Sequence, residues 1–278
     1  MNKWILGARP RTLPAAIAPV VVAVAIAYPT FNFINAVLAL VVGVALQIAV
    51  NYANDYSDGI KGTDAERVGP TRLVASGLAT AAEVKQAAIA AFGIGGAAGL
   101  YLSIRTSYWL IAIGAAAIIA AWRYTGGKNP YGYRGLGEVY VFIFFGLVAT
   151  IGTYYGQTGQ VGIEVIMAAI SNGAVACALL AVNNIRDIEG DTKVGKRTLA
   201  VRLGDTRARR FYMFLIFIAI FTSFTVTILA ALGIFPAIRL LKEIQVRKGT
   251  ELIAVLGATG KFQLILGTLL TIGTLVNI

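Results

Sequence analysis

Residues 33–58 read FINAVLALVVGVALQIAVNYANDYSD. From Phe33 to Asn54 the stretch carries no Asp, Glu, Lys or Arg, and then Asp55 and Asp58 arrive within one turn. A bilayer's hydrocarbon core takes about 20 apolar residues per helical crossing. The stretch therefore reads as a membrane-spanning helix with a carboxylate-bearing end. It is one of several. Residues 12–54, 86–104, 106–122, 139–163, 165–185, 211–238 and 262–278 are all free of Asp, Glu, Lys and Arg. Across the 278 residues 58% are hydrophobic and 13% charged, where a soluble domain carries about 25% charged residues. The runs are too long and uniform for the alternating segments of roughly 10 residues that build a membrane β-barrel. The fold class is all-α and polytopic, one membrane-embedded domain over 1–278.

Two absences narrow the chemistry. There is no His, which excludes His-Glu-x-x-His zinc sites and Ser-His-Asp triads. Cys177 is the single cysteine, so neither an intrachain disulfide nor a cysteine metal cluster can form, and it reads as a small core residue.

Tyr28-Pro29-Thr30 with Asn32 divides the first long run into helices near 13–28 and 33–54. Others follow near 81–104, 107–123, 138–156 and 163–185, and Thr80 with Glu83 forms a capping box ahead of the third. Lys3, Arg9 and Arg11 before an apolar stretch resemble a signal peptide. A second span follows at once, so the first helix is expected to be retained. Residues 211–244 are long for one crossing and short for two. As two crossings they put 23 of the 24 Lys and Arg on one side, leaving Arg105 on the other. As one crossing they would place Arg239, Lys242, Arg247 and Lys248 outside, against the positive-inside rule. The expectation is a plasma-membrane bundle of nine transmembrane helices, alternatively eight, with a cytoplasmic N-terminus and an external C-terminus. The net charge of +11 then gathers on one face. It reads as topology plus attraction to anionic membrane lipid, and no nucleic acid partner is implied.

Topology does not explain why the acidic residues gather there too. Asn51, Asp55 and Asp58 lie at i, i+4 and i+7 of one helix, with Asn54 beside them. Asn183, Asp187 and Asp191 lie at i, i+4 and i+8 of another. Carboxylates on one helix face repel, and a hard divalent cation offsets that cost, Mg²⁺ favouring one or two carboxylates plus phosphate oxygens. Lys61, Arg67 and Arg72 follow the first cluster; Lys193, Lys196, Arg197 and Arg202 follow the second. Carboxylates beside such cations suit a diphosphate at headgroup level with its apolar tail in the bilayer. No Gly-x-x-x-x-Gly-Lys-[Ser/Thr] loop is present to suggest a nucleotide site.

At these residues the sequence resembles the UbiA superfamily of intramembrane prenyltransferases. Asn54-Asp55-Tyr56-Ser57-Asp58 is similar to its first Asp-rich motif, Asp187-x-x-x-Asp191 to its second, and Arg72-Leu73-Val74-Ala75-Ser76-Gly77 to its Arg-x-x-x-Ser-Gly element. A further Asp usual in the first motif is Gly62 here, with Asp64 two residues on. Pro130-Tyr131-Gly132-Tyr133-Arg134-Gly135-Leu136-Gly137-Glu138 and Gly195-Lys196-Arg197-Thr198-Leu199-Ala200 resemble the branch that prenylates 1,4-dihydroxy-2-naphthoate in menaquinone biosynthesis. The resemblance runs from about residue 7 to residue 204. It implies a helical bundle around a central cavity with cytoplasmic cap loops. It also implies Mg²⁺-dependent transfer of a polyprenyl group from polyprenyl diphosphate to 1,4-dihydroxy-2-naphthoate, with loss of CO₂.

The same resemblance implies that Asn54, Asp55, Asp58, Asp187 and Asp191 hold two Mg²⁺ ions, and the shared helix faces add Asn51 and Asn183 as metal candidates. The resemblance implies diphosphate positions at Arg67, Arg72, Lys196 and Arg197, and Lys61, a cation flanking the first cluster, joins them as a candidate. Tyr131, Tyr133 and Arg134 offer stacking surface and a cation for an aromatic acid, which makes them the acceptor candidates. Tyr124 is the candidate for contact with acceptor or carbocation, because an aromatic face stabilises a cation. Glu138 reads as a charge capping a helix N-terminus or as an orienting base, the cap being the preferred reading. Two rival readings stay open: a related enzyme with another acceptor such as 4-hydroxybenzoate, and a cation-coupled transporter. Transporter sites lie near the bilayer midplane, whereas these clusters sit at helix ends.

Overall fold

The computed structural model describes residues 2–63 and 71–276, and every regular element among them is a helix. The order is α1 (Lys3–Ala8), α2 (Pro14–Ile26), α3 (Phe33–Lys61), α4 (Ala81–Thr106), α5 (Trp109–Arg123) and α6 (Gly137–Thr158). Then come α7 (Ile163–Arg186), α8 (Ile188–Lys193), α9 (Leu199–Leu203), α10 (Asp205–Phe224), α11 (Ile234–Val246) and α12 (Leu252–Leu275).

Local chemistry sets the boundaries. The Asn32 side chain accepts from Asn35 N–H at the start of α3, and Gly62 ends that helix in the left-handed region at φ 69°. Thr80 and Glu83 form the expected capping box on α4. Arg9, at φ 52°, ends α1, and α1 with its following turn meets α2 at a 53° bend. Inside α6, residues Phe142–Val148 widen into a π-helical segment. There Gly146 lies against Gly173 of α7, where an added Cβ would stand 2.6 Å from the Gly173 Cα. Only a glycine lets the two backbones approach this closely.

α7 is the axis of the molecule. Of its apolar segment 78% is buried, against 28% in α3 and in α4. One core joins α7 to α10, α11 and α12 through Val175, Tyr212, Ile216, Leu240 and Phe262. A second joins α3 to α4 around Tyr52, Leu73, Val84 and Phe92. Outside these cores the polarity is inverted relative to a soluble protein. Phe214, Phe217, Phe221 and Phe224 share one exposed face of α10, as lipid contact requires.

Residues 211–244 are resolved into two helices. α10 stops at Phe224, a 3₁₀ turn covers Ile228–Gly233, and α11 runs back. Arg209 near the start of α10 donates to Ile244 O, and to Arg247 O at 2.9 Å, so the hairpin returns to the end from which it left. The guanidinium thereby satisfies carbonyls that the end of α11 leaves unpaired. Among the described residues five helices are long and apolar enough to cross a bilayer by length and composition, or six with the bent α1–α2 pair as one span. The chain is thus a multi-pass membrane protein. The count falls short of the expected nine because α5 has only 15 residues, α11 has 13, and α10 opens on Asp205, Arg207, Arg209 and Arg210.

Between the two cores lies a cavity of about 820 Å³. Its walls come from α2, α3, α4, α5, α6 and α7. One end reaches Asp58 and Asp191, and the other reaches Trp109 and Tyr155.

Candidate active site

The polar end of the cavity is built from two helix termini and the loops that follow them. On α3, Asn51, Asn54 and Asp58 line the cavity. Asn51 Nδ2 donates to Ala8 O at 2.9 Å, tying α3 to the N-terminal helix. Asn54 Oδ1 accepts from Thr125 Oγ1 at 2.8 Å. Asp58 is 2% exposed, and its partners among the described residues gather in one small volume. Tyr133 Oη donates to Oδ1 at 2.7 Å, Lys196 Nζ to Oδ2 at 3.2 Å, and Arg72 Nη2 lies 3.6 Å from Oδ2. Asp58 thus gathers two cations, Arg72 and Lys196, at one spot on the cavity wall. Such a site favours an incoming anion, and the carboxylate pre-orients both donors.

Asp55 faces elsewhere. Its carboxylate accepts the backbone N–H of Leu73 at 2.8 Å and of Val74 at 3.1 Å, and it does not line the cavity. The side chain thereby anchors the segment that delivers Arg72 to Asp58. In the sequence Asp55 and Asp58 share one helix face. In the structure the first secures a loop and the second meets the cavity.

The second terminus departs from a single helical stripe. α7 ends at Arg186, and Asp187 sits in the break before α8 at φ −95° and ψ 6°. The i, i+4 link survives, because Asp191 N–H donates to Asp187 O at 2.8 Å. Asn183, Asp187 and Asp191 all line the cavity. Arg186 grips both Asp187 oxygens at 2.7 Å and reaches Asn183 Oδ1 at 2.8 Å. This fork on a carboxylate is a strong, oriented contact. Arg186 was not among the candidates, since within the motif it reads as one more loop cation.

The loop between α5 and α6 closes the arrangement. Gly132 N–H donates to Tyr124 O at 3.0 Å. A Cβ on Gly132 would stand 2.6 Å from that same oxygen, so a glycine is required there. Tyr133 O accepts from Arg197 N–H at 2.9 Å, joining this loop to the one after α8. The Lys61 and Lys196 ammoniums lie 4.9 and 4.7 Å from the Tyr133 ring centroid. Lys61 also donates to Thr125 O at 2.5 Å. Tyr133, expected at the acceptor, therefore sits in the carboxylate and cation cluster. Tyr124 and Tyr131 line the cavity with rings 5.5 Å apart, and Tyr131 stacks on Tyr140 at 3.9 Å. Burial raises both phenols above their ordinary value. At Tyr124 the charges of Glu138, Asp58 and Asp191 raise it further, so both stay protonated.

The cavity thus gathers Asn51, Asn54, Asp58, Arg72, Tyr124, Tyr131, Tyr133, Asn183, Asp187, Asp191 and Lys196. Lys61, Arg134 and Arg197 lie outside its lining, and the last two are exposed. Asp64 and Arg67 lie outside the described residues. Among the described residues no three acidic side chains converge as a ready-made metal site. The donors are instead two half-sites of oxygen ligands on opposite sides of one anion-attracting spot. That donor set fits Mg²⁺, which is commonly held by one or two carboxylates with the remaining ligands from substrate phosphate and water.

Comparison with known proteins agrees with the fold. The model of the UbiA prenyltransferase family matches residues 16–251. The chain is 47% identical over 272 residues to the 1,4-dihydroxy-2-naphthoate octaprenyltransferase of Mycobacterium tuberculosis, covering 95% of this chain and 93% of the relative. It is 52% identical over 216 residues to the Mycobacterium leprae protein of the same name, covering 77% and 74%. The structure of a UbiA homolog from Archaeoglobus fulgidus, bound to GPP and Mg²⁺, superposes with a TM-score of 0.72 at 15% identity, covering 99% of this chain and all of that one. The chain belongs to the UbiA prenyltransferase family.

Proposed function

We propose that this chain transfers a polyprenyl group from polyprenyl diphosphate to 1,4-dihydroxy-2-naphthoate, yielding diphosphate, CO₂ and demethylmenaquinol. The observation that carries the reading is one cavity with a cation and carboxylate cluster at one end and a long apolar lining beyond it. The names and coverage of the mycobacterial relatives support the acceptor.

Arg72 and Lys196, pre-oriented by Asp58, bind the diphosphate oxygens. Tyr133 holds Asp58, and Lys61 stands by at the same ring. Asn54 and Asp58 on one side, and Asn183, Asp187 and Asp191 on the other, would hold two Mg²⁺ ions. Bound Mg²⁺ would offset the charge that builds on the departing diphosphate. Tyr124, Tyr131 and Tyr140 present ring faces or edges beside the place where the allylic C–O bond opens, and an aromatic face stabilises the cation. Ile113, Ile118, Phe145 and Val148 take the prenyl tail and keep water from the cation. The electron-rich acceptor attacks through its carboxylate-bearing carbon. Loss of CO₂ returns the electron pair to the ring, so no ring proton has to be removed.

For orientation we adopt nine crossings, with the N-terminus and the active-site loops cytoplasmic and the protein in the plasma membrane. The α10–α11 hairpin supports this, as does the gathering of Lys and Arg in the loops that follow α3, α5 and α7, whereas Lys261, expected at the cytoplasmic end, lies within α12.

The test is transfer by purified protein supplied with labelled geranylgeranyl and longer prenyl diphosphates. Acceptors are 1,4-dihydroxy-2-naphthoate or 4-hydroxybenzoate, each with Mg²⁺ or with EDTA. A decarboxylated prenyl naphthoquinol that forms with Mg²⁺ and falls at least about a hundredfold with EDTA is the expected result. Exclusive transfer to 4-hydroxybenzoate would overturn the acceptor, and undiminished transfer in EDTA would overturn the metal.

A further inference from the structure

Glu138 stands in the first turn of α6, where a carboxylate at the surface would serve the helix dipole. Here it is 5% exposed and faces α7. Its Oε1 accepts from Asn184 Nδ2 at 3.0 Å, and its Oε2 is buried with no hydrogen-bond partner among the described residues. A dipole cap needs no such burial, and a half-satisfied buried carboxylate is costly. Its position asks for another explanation.

The explanation lies one residue beyond Asn183. Asn184 lines the cavity, and its amide turns the NH₂ group towards Glu138 Oε1. That bond leaves the Asn184 carbonyl oxygen unengaged by Glu138, on a side chain that lines the cavity. Tyr124 borders the same place. A Cβ on Gly137 would stand 3.2 Å from the Tyr124 ring and 3.6 Å from its hydroxyl, so that ring packs directly on the start of α6. Stacked Tyr131 and Tyr140 complete the wall. A fixed carbonyl oxygen among aromatic rings repels a diphosphate, whose oxygens are acceptors too. It suits the donor O–H of a flat hydroxyaromatic ring.

We propose that Glu138 is a positioning residue that locks the Asn184 amide, so that Asn184 Oδ1 accepts a hydrogen bond from a ring hydroxyl of the aromatic acceptor. The pair selects for a free hydroxyl and sets the ring's angle in the cavity. This rests on the aromatic-acceptor reading above and adds the residues that recognise the acceptor's oxygen. A site built to bond a hydroxyl discriminates strongly against an analogue lacking it, because its own polar group is then left unpaired.

The test uses the full chain in detergent, with 1,4-dihydroxy-2-naphthoate and its mono-O-methyl ethers as acceptors, in wild type, Asn184→Leu and Glu138→Gln. Asn184→Leu is expected to raise the acceptor KM about thirtyfold and to cut the preference for hydroxyl over methyl ether at least about tenfold. Glu138→Gln keeps the shape, but its amide can donate to Asn184 Oδ1 and turn the Asn184 NH₂ into the cavity. It is expected to raise the acceptor KM about fivefold. In both variants the prenyl diphosphate KM and the Mg²⁺ half-saturation should stay within about twofold, which a merely structural defect would not spare. Should Asn184→Leu not fold, the near-isosteric Glu138→Gln carries the decision alone. An unchanged acceptor KM, or a shift confined to prenyl diphosphate or Mg²⁺, would overturn the assignment while leaving the acceptor reading intact. Failure of the wild type to prenylate the naphthoate would overturn that reading, and this assignment with it.

Discussion

Asp58→Asn is expected to lower kcat/KM for prenyl transfer by about a hundredfold or more, with the protein still inserted and folded. Asn keeps the shape and one acceptor for Tyr133, so the change is chiefly one of charge. The lost charge is the one that holds Lys196 at 3.2 Å and Arg72 at 3.6 Å in the same small volume. Without it the two cations repel, one of them moves, and the α3 side loses its anionic metal ligand. Removal of a single pre-oriented transition-state contact costs about 10²–10³ in rate. Asp55→Asn is the informative companion. Its carboxylate carries two backbone N–H groups, and an amide offers only one acceptor to them. The orphaned N–H costs about 1–3 kcal/mol of stability. Asp55→Asn should therefore show a lower unfolding temperature, whereas Asp58→Asn should show its loss mainly in turnover. Thermal unfolding measured beside kcat/KM separates the two. Equal unfolding temperatures and equal activity losses would mean that both carboxylates do the same job.

Gly146→Val is expected to be nearly as damaging by a different route. At this position an added Cβ meets the Gly173 Cα at 2.6 Å and Ala169 O at 2.9 Å, both backbone atoms that no rotamer change can move. α6 must shift away from α7 by a sizeable fraction of an ångström. Overpacking of this kind costs about 1–3 kcal/mol. The larger consequence is geometric. α6 carries Tyr140, Phe144 and Glu138 on the cavity wall or directly behind it, so the substitution moves the acceptor side relative to α7. A misplacement near 1 Å costs about a hundredfold in rate. Turnover should fall about that much, while Gly152→Val, less than two turns on with open space at its Cβ, should be tolerated for stability. Wild-type turnover in Gly146→Val would show that the α6–α7 contact does not position the site.

Much of this architecture is legible in the chain, and the limits have physical causes. The charge-free runs mark the spans because lipid tolerates so few unpaired charges, and the Thr80–Glu83 box is local enough to read directly. The break in 211–244 is hinted at only by length and by charge placement; the Arg209 contact that turns it into a hairpin spans residues 35 and 38 apart and has no local signature. Spacing brings Asn51, Asn54, Asp58, Asn183, Asp187 and Asp191 to the right helix ends. It does not tell Asp55 from Asp58, because the deciding partners, Leu73 and Val74, come from a loop that helical periodicity ignores. Nor does spacing show that α7 stops at Arg186, since neither Gly nor Pro marks the stop there. For Glu138 the sequence favours a cap over an orienting base, because the first turn of a helix is where such a charge usually belongs. Its burial against Asn184 is a tertiary fact.

The central claim is that the α3 terminus and the α7–α8 terminus act on one diphosphate. The direct measurement is a double-mutant cycle on the affinity for an unreactive prenyl thiolodiphosphate with Mg²⁺, using wild type, Asp58→Asn, Asp191→Asn and the double variant. Each single change is expected to weaken binding about tenfold or more. A diphosphate released by one side no longer sits well for the other, so the double variant should lose little beyond the worse single one, a coupling of more than about 1.4 kcal/mol. Losses that simply multiply would mean the two termini serve separate ligands, and would contradict the account.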